Sequence, residues 1–168
     1  MTEFVLEPFG EFHDVVEFDC GNVELNSWLQ RHAAASHKAD LARSYVACDV
    51  VGIAGYFSLT TGSVRPAEAP KRFARGMPRY PIGTILIARL AVDVRCQGQG
   101  LGSRLLSEAL RRAVAASDAA AARLVVVDAI DDEAVKFYQR WGFIDTPENP
   151  RRLYRKMSDV RASLDGAV

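Results

Sequence analysis

The strongest constraint on the fold is a continuous apolar run, IGTILIARLAVDV (82–94), that leads directly into the glycine-rich segment RCQGQG (95–100). A run of strand-forming residues without polar alternation is typical of a strand buried on both faces, so residues 82–94 are predicted to form a central strand. Residues 101–117 then place Leu and Ala on one side and charged residues on the other, which predicts an amphipathic helix. The chain therefore contains a strand, a glycine loop and a helix in direct succession.

Shorter patterns on either side of this unit predict an α/β fold. Further strands are expected at 4–9, at 44–64 as an antiparallel hairpin with a turn near Asp49, at 123–130 and at 151–157, and further helices at 23–39 and 131–143. A length of 168 residues with 49% hydrophobic residues suits one well-buried core. We predict a single domain over residues 1–158 and a flexible tail over residues 159–168.

The compartment and the metal content follow from what the sequence does not contain. No apolar run approaches the ~20 residues of a membrane helix, and the N-terminal segment MTEFVLEPFG is acidic, so a cytoplasmic protein without membrane attachment is expected. The three cysteines are odd in number and widely spaced, which fits neither a disulfide framework nor a zinc site. The three histidines have no ligand-spaced companions either, so no metal is predicted.

Positive charge is concentrated in one stretch of a chain whose total charges cancel. The formal net charge is +0, which argues against indiscriminate nucleic-acid binding. Between Arg65 and Arg89, however, six basic residues stand against Glu68 alone, and four prolines predict that much of this stretch is loop. Solvation of an exposed loop and contact with a polyanion both explain such a segment.

The three alternating glycines suit phosphate binding. The first N–H groups of a helix have no internal acceptor, the helix dipole is positive there, and missing side chains let an anion approach the backbone. A P-loop is excluded because the loop contains no lysine, and the dinucleotide fingerprint is excluded because Ser103 occupies the position of its third glycine. A tight turn before the helix remains the structural alternative, while Gln97, Gly100 and Gly102 fit the pattern [QR]-x-x-G-x-[GA].

That pattern, together with AVKFYQRWGF (134–143), resembles the GNAT N-acetyltransferases. The resemblance implies a mixed, mostly antiparallel central sheet with helices on both faces, and acetyl-CoA as cosubstrate. It also implies that the loop amides hold the pyrophosphate of coenzyme A and that the pantetheine arm pairs with the end of the central strand. The cofactor-binding residues expected on this basis are Leu90, Ala91, Val92, Gln97, Gly98, Gln99, Gly100, Leu101, Gly102 and Ser103.

Three further segments narrow the resemblance: FDCGNVELNSWLQRHA (18–33), GYFSLTTGSV (55–64) and ILIARLAVDVRCQGQGLGSRLL (85–106). They are similar to the TacT-like GNAT toxins of toxin–antitoxin systems, over roughly residues 8–157. The resemblance implies acetylation of the α-amino group of aminoacyl-tRNA, inhibition of translation, and neutralisation by a ribbon-helix-helix antitoxin. A homodimer is compatible with the sequence.

The chemistry of acetyl transfer assigns a role to each part. An α-amino group has a pKa of about 8, so a sizeable neutral fraction exists at physiological pH and no dedicated base is required. A backbone N–H near Leu90–Val92 would polarise the thioester carbonyl. The FY motif implies that Tyr138 protonates the departing thiolate. An aromatic residue on the apolar stripe of a helix is, however, more often part of the core. Asp131 stands where many members of the family have Asn.

Four basic residues are candidates for tRNA phosphates: Lys38, Arg72, Arg75 and Arg89. Two alternatives of other classes stay open. The chain could acetylate a small amine or a protein lysine, in which case acidic groups should line the acceptor side. It could also be a non-catalytic acyl-CoA-binding module whose FY motif is a relic.

Overall fold

A computed structural model describes residues 2–166 of the chain, and within them it has seven strands and six α-helices. The strands are β1 (Val5–Pro8), β2 (Arg43–Cys48), β3 (Ile53–Val64), β4 (Ile82–Val92), β5 (Leu124–Asp128), β6 (Ile144–Thr146) and β7 (Asn149–Lys156). The helices are α1 (Val23–Arg31), α2 (Ala33–Lys38), α3 (Lys71–Ala74), α4 (Leu101–Ala119), α5 (Asp132–Arg140) and α6 (Met157–Asp165). Short 3₁₀ turns span Pro66–Glu68 and Val94–Cys96.

The strands form one sheet in the order β1-β2-β3-β4-β5-β7-β6, which confirms β4 as the central strand. The pairs β1–β2, β2–β3, β5–β7 and β6–β7 are antiparallel. The pair β4–β5 is parallel, with Thr84–Ile87 opposite Leu124–Val127. A mixed, mostly antiparallel sheet was the expectation from sequence, and the structure confirms it.

Two elements differ from those predicted from the sequence. The helix predicted at 23–39 is divided in two, because His32 adopts φ −122° and ψ −25° and ends α1. Strand β6 was missed because it has only three residues and stands beside Pro147 in the turn to β7.

The tail predicted at 159–168 is wrong for residues 159–165, which belong to α6. This helix is held by packing, since Met157 and Val160 are buried, and by Arg161, whose Nη2 donates to Asp118 Oδ1 at 3.0 Å. Residues 167 and 168 of the predicted tail lie outside the described residues. None of the helices within residues 2–166 is long and apolar enough to cross a bilayer.

By internal contacts the chain divides into two compact units. The first comprises residues up to 60 together with 88–109. Leu25 and Leu29 of α1 pack there against Tyr56 of β3 and Ala91 of β4 on one face of the strands. On the opposite face a Cβ added to Gly55 would stand 2.8 Å from the Leu105 side chain, so α4 lies directly against the strand backbone.

The second unit comprises residues 61–87 and 110–168. Its core brings together Phe73 of α3, Ile82 of β4, Leu124 of β5 and Tyr154 of β7. Arg123 supports this core by donating from Nε to the Phe73 carbonyl at 3.0 Å. The basic stretch predicted as loop therefore contains a short helix whose one buried side chain anchors it.

Candidate functional site

The entry to the glycine loop is fixed by a buried carboxylate, Asp93, which directly follows β4. Its side chain is only 5% exposed and accepts hydrogen bonds from the backbone N–H groups of Arg95 at 3.0 Å and Asp19 at 3.1 Å. Its own N–H donates to the Ala54 carbonyl at 2.8 Å. The start of the loop is therefore tied to two other segments of the first unit, at Asp19 and Ala54.

An ion pair ties the loop to the turn of the β2–β3 hairpin. Arg95 donates from Nη1 and Nη2 to the two carboxylate oxygens of Asp49, at 2.5 and 3.1 Å, and also to the Ile53 carbonyl at 3.3 Å. This bidentate contact lowers the pKa of Asp49 to about 2. Asp49 and Arg95 are 46 residues apart, so no local pattern predicts this ion pair.

Gln97, the first residue of the loop motif, braces the loop from inside. Its Nε2 donates to the Val92 carbonyl at 2.9 Å and to the Cys20 carbonyl at 3.1 Å. The carboxamide nitrogen is thus engaged by the protein at the end of β4. Gln97 therefore positions the loop backbone. A direct contact of Gln97 with a cofactor stays a prediction.

Two of the glycines adopt backbone conformations that other residues rarely adopt. Gly98 and Gly100 have φ of +79° and +80°, and a Cβ added to either would meet no atom within 4 Å. The Gly100 carbonyl accepts the first helical hydrogen bond, from the Arg104 N–H at 3.2 Å. The N–H groups at the start of α4 therefore follow a backbone that is open to an approaching anion.

Not every predicted cofactor residue has a side chain available. Leu101 is 1% exposed and belongs to the buried side of α4. Ala91 belongs to the core beneath α1. These two residues can contribute only backbone groups, whereas Gln99 and Gly100 are exposed and Leu90, Val92, Gly102 and Ser103 are partly buried.

Tyr138 lies in the second unit, on α5. Asp131 caps this helix by accepting from the Ala134 N–H at 2.8 Å, a role that explains an acidic residue at this position. The Tyr138 side chain is 6% exposed and makes edge contacts with Phe137 and Phe143, at centroid distances of 5.2 and 5.8 Å. Burial, reinforced by the charge of Asp128, raises the pKa of this phenol above its usual range. The Tyr138 phenol therefore keeps its proton at physiological pH, and its role as the proton donor stays a prediction.

The four basic candidates stand in different surroundings. Arg89 is half-buried on β4, with its Cζ 3.9 Å from the centroid of the Trp28 ring. Lys38, in the same unit, is exposed and its Nζ stands 4.0 Å from an exposed Glu11 carboxylate, a pair that contributes little. Arg72 and Arg75 belong to the second unit, where both are exposed and Arg72 lies over Phe73 at 5.0 Å.

One cluster that sequence reasoning missed joins β1, the following loop and β2. Within residues 2–166, Glu7, His13 and Cys48 are the group whose ligand atoms lie close enough together to hold a metal ion, all within 4.8 Å. His13 Nε2 stands 2.7 Å from Glu7 Oε1, and burial together with Glu7 and Asp49 raises the pKa of the Cys48 thiol to about 11. No metal is assigned to this cluster, and the absence of a metal from the protein stays a prediction.

Comparison with known proteins gives consistent matches. Residues 40–145 match the family described as the acetyltransferase (GNAT) domain. A tRNA-acetylating toxin of Mycobacterium tuberculosis is 41% identical over 151 residues, which cover 90% of this chain and 90% of that protein.

The chain is also similar to solved structures of toxins. AtaT complexed with acetyl-methionyl-tRNAfMet superposes with a TM-score of 0.87 at 27% identity, covering 96% of this chain and 99% of that one. A tyrosine-to-phenylalanine mutant of the AtaT toxin, bound to the C-terminus of the antitoxin AtaR and acetyl-CoA, superposes with a TM-score of 0.82 at 26% identity, covering 97% and 99%.

Proposed function

Because the chain belongs to the GNAT acetyltransferase family, we propose that it transfers an acetyl group from acetyl-CoA to the α-amino group of aminoacyl-tRNA and thereby blocks translation. The observation that carries this proposal is the similarity to the tRNA-acetylating toxin, which extends over nine-tenths of both chains. The likeness to AtaT, whose solved complex contains acetyl-methionyl-tRNAfMet, supports the same class of acceptor.

The glycine loop and the start of α4 fit the pyrophosphate of acetyl-CoA. The open space at Gly98 and Gly100 gives an anion access to backbone N–H groups, and the dipole of the 19-residue helix favours negative charge at its first turn. Gln97 and Asp93 hold this backbone in place before any ligand arrives. We assign the cofactor contacts to the loop residues 97–103 and to Leu90–Val92 at the end of β4.

The reacting groups can be assigned from the chemistry of amide formation. Acetyl-CoA, when bound, supplies an activated thioester. A backbone N–H of Leu90–Val92 would stabilise negative charge on the carbonyl oxygen while the C–N bond forms and the C–S bond breaks. Tyr138 would deliver its phenolic proton to the departing sulfur and regain a proton from solvent, and the attacking nitrogen loses one proton to solvent as the amide forms.

The acceptor would be held mainly through its backbone charge. Lys38, Arg72, Arg75 and Arg89 offer cations that neutralise phosphates without reading base sequence. A ribbon-helix-helix antitoxin is the proposed protein partner, supported by the AtaT structure that contains its antitoxin AtaR. The cytoplasm, where aminoacyl-tRNA is used, is the proposed site of action.

The test measures transfer of labelled acetyl to aminoacyl-tRNA and to small free amines, as a function of salt. Substitution of Arg75 and Arg89 by Glu should raise the KM for aminoacyl-tRNA and flatten its salt dependence. Loss of two phosphate contacts should reduce the slope of log affinity for aminoacyl-tRNA against log salt concentration by about 1.5. The affinity for acetyl-CoA should stay close to that of the wild type, because the pyrophosphate is assigned to a different segment.

A matched control reverses the same number of charges elsewhere. Arg31 and Arg111 are exposed, and the Arg31→Glu, Arg111→Glu variant should retain the wild-type KM and salt slope. Equal effects of the two double variants would show that only net charge matters. Efficient transfer to a free small amine without transfer to aminoacyl-tRNA would replace the proposal by a general amine acetyltransferase.

A further inference from the structure

Arg89 is held by an aromatic stack that is itself fixed in the core. Its Cζ lies 3.9 Å from the centroid of the Trp28 ring, well within the range of a cation–π contact. The Trp28 ring is nearly parallel to that of Tyr56, at an interplanar angle of 9° and a centroid distance of 6.2 Å. Tyr56 is fully buried and donates its hydroxyl to the Leu25 carbonyl at 2.7 Å, so the ring that stacks on the indole belongs to the core.

Arg89 is also a half-buried cation, and it has no acidic partner in the part of the chain that the structure describes. Among residues 2–166 no carboxylate stands within ion-pair distance of its guanidinium, in contrast to Arg95, which pairs with Asp49. Burial lowers the pKa of Arg89, an effect that the neighbouring Tyr56 hydroxyl partly offsets. Keeping a cation partly out of water without a counter-ion is unfavourable, which indicates that a bound anion completes the site.

The position of Arg89 in β4 indicates which anion this is. Side chains alternate along a strand, so Arg89 and Ala91 share the face that α1 covers. Arg89 directly precedes Leu90–Val92, the segment assigned to the thioester carbonyl. The acceptor phosphates closest to the reacting amine are those of the terminal nucleotides, whereas phosphates of the acceptor stem lie farther away.

We propose that Trp28 is a positioning residue, whose indole orients the Arg89 guanidinium to bind a phosphate at the 3′ end of the aminoacyl-tRNA acceptor. This inference rests on the proposed function and deepens it. Trp28 reaches the acceptor only through Arg89. An oriented guanidinium loses less side-chain entropy when it binds a phosphate, so the indole strengthens acceptor binding without touching the RNA.

Steady-state kinetics with aminoacyl-tRNA test the coupling between the two residues. Trp28→Ala should raise the KM for aminoacyl-tRNA about tenfold and leave the Kd for acetyl-CoA unchanged. Trp28→Phe, which keeps a weaker aromatic face, should fall between wild type and Trp28→Ala. In the Arg89→Ala background, Trp28→Ala should cause no further rise in KM. Effects that multiply in the double variant, or a Trp28→Ala variant with unchanged KM, would overturn the proposal.

A control separates this role from general support of α1. Tyr56→Phe removes the buried hydrogen bond to Leu25 but leaves the indole and the guanidinium in place. Its Tm should fall while its KM for aminoacyl-tRNA stays within twofold of the wild-type value. A rise in KM equal to that of Trp28→Ala would show that both residues act only by holding the helix.

A binding measurement keeps this inference distinct from the proposed function. The chain has two tryptophans, so Trp141→Phe leaves Trp28 as the only indole. Titration of this variant with deacylated tRNA should change the Trp28 fluorescence, and Arg89→Ala or high salt should abolish the change. Acetyl transfer to aminoacyl-tRNA without a fluorescence response would overturn the role of Trp28 alone. Absence of transfer by the wild-type protein would overturn the proposed function itself.

Discussion

Replacement of Gly100 by alanine separates the backbone strain of the glycine loop from its role in ligand binding. Gly100 has φ of +80°, a left-handed conformation that costs a residue with a side chain about 1–2 kcal/mol. Its added Cβ would meet no protein atom within 4 Å, so no steric term adds to that strain. For a chain of this size the expected loss in Tm is about 2–8 °C, and the variant should remain folded.

The effect on acetyl-CoA should be larger than the effect on stability. The methyl group occupies the open space through which an anion would approach the N–H groups at the start of α4. Loss of one hydrogen bond to a charged group costs about 1.5–3 kcal/mol, which corresponds to a Kd raised about 10- to 150-fold. Isothermal titration calorimetry with acetyl-CoA measures this change, and thermal unfolding of the same sample measures the strain.

Gly76 provides the matched control. It has φ of +78° and equally open surroundings, but it lies in the loop after α3 and outside the assigned cofactor site. Gly76→Ala should therefore lower Tm by a similar amount and leave the Kd for acetyl-CoA unchanged. The reasoning is refuted if Gly100→Ala is folded and binds acetyl-CoA within twofold of wild type, or if both variants lose affinity equally.

Three further variants test other parts of the site. Tyr138→Phe keeps the ring contacts and removes the proton donor, so single-turnover rates should fall by ~10²–10⁴ with an unchanged Kd for acetyl-CoA; a near-normal rate would make Tyr138 a core residue. Gln97→Leu removes both donations that brace the loop, and calorimetry should show weaker acetyl-CoA binding; unchanged affinity would argue against the brace. The folded pKa of Asp49, about 2, lies below its unfolded value of 3.8, so the unfolded chain takes up the proton first. Denaturant unfolding should therefore show roughly 2 kcal/mol of stability lost as the pH falls from about 4 to below 2. Asp49→Asn should lack this loss, and an unaltered pH profile would contradict the Asp49–Arg95 assignment.

The central strand, the loop and the following helix were predictable because each depends on local rules. An unbroken apolar run indicates burial on both faces, alternating glycines exclude a continuous helix, and the stripe of α4 repeats at helical spacing. The same rules failed where tertiary contacts decide the outcome. The break at His32 has no proline or glycine to mark it, and α6 is a helix because its two buried residues pack, although the sequence at the chain end predicted a tail.

The same distinction between local rules and tertiary contacts applies to the candidate site. Residue types and spacing were enough to propose Gln97, Gly100 and Tyr138 as candidates, but not to predict that the Gln97 side-chain amide braces the loop rather than facing outward. Arg89 shows why. In the sequence it is one of six basic residues in a stretch whose charge could simply solvate a loop. Only the fold places it over Trp28 and leaves it half-buried, with no carboxylate of residues 2–166 within ion-pair distance. Charge that serves only solubility has no reason to be partly withdrawn from water, so burial favours a ligand for Arg89 more strongly than it does for the exposed Arg75.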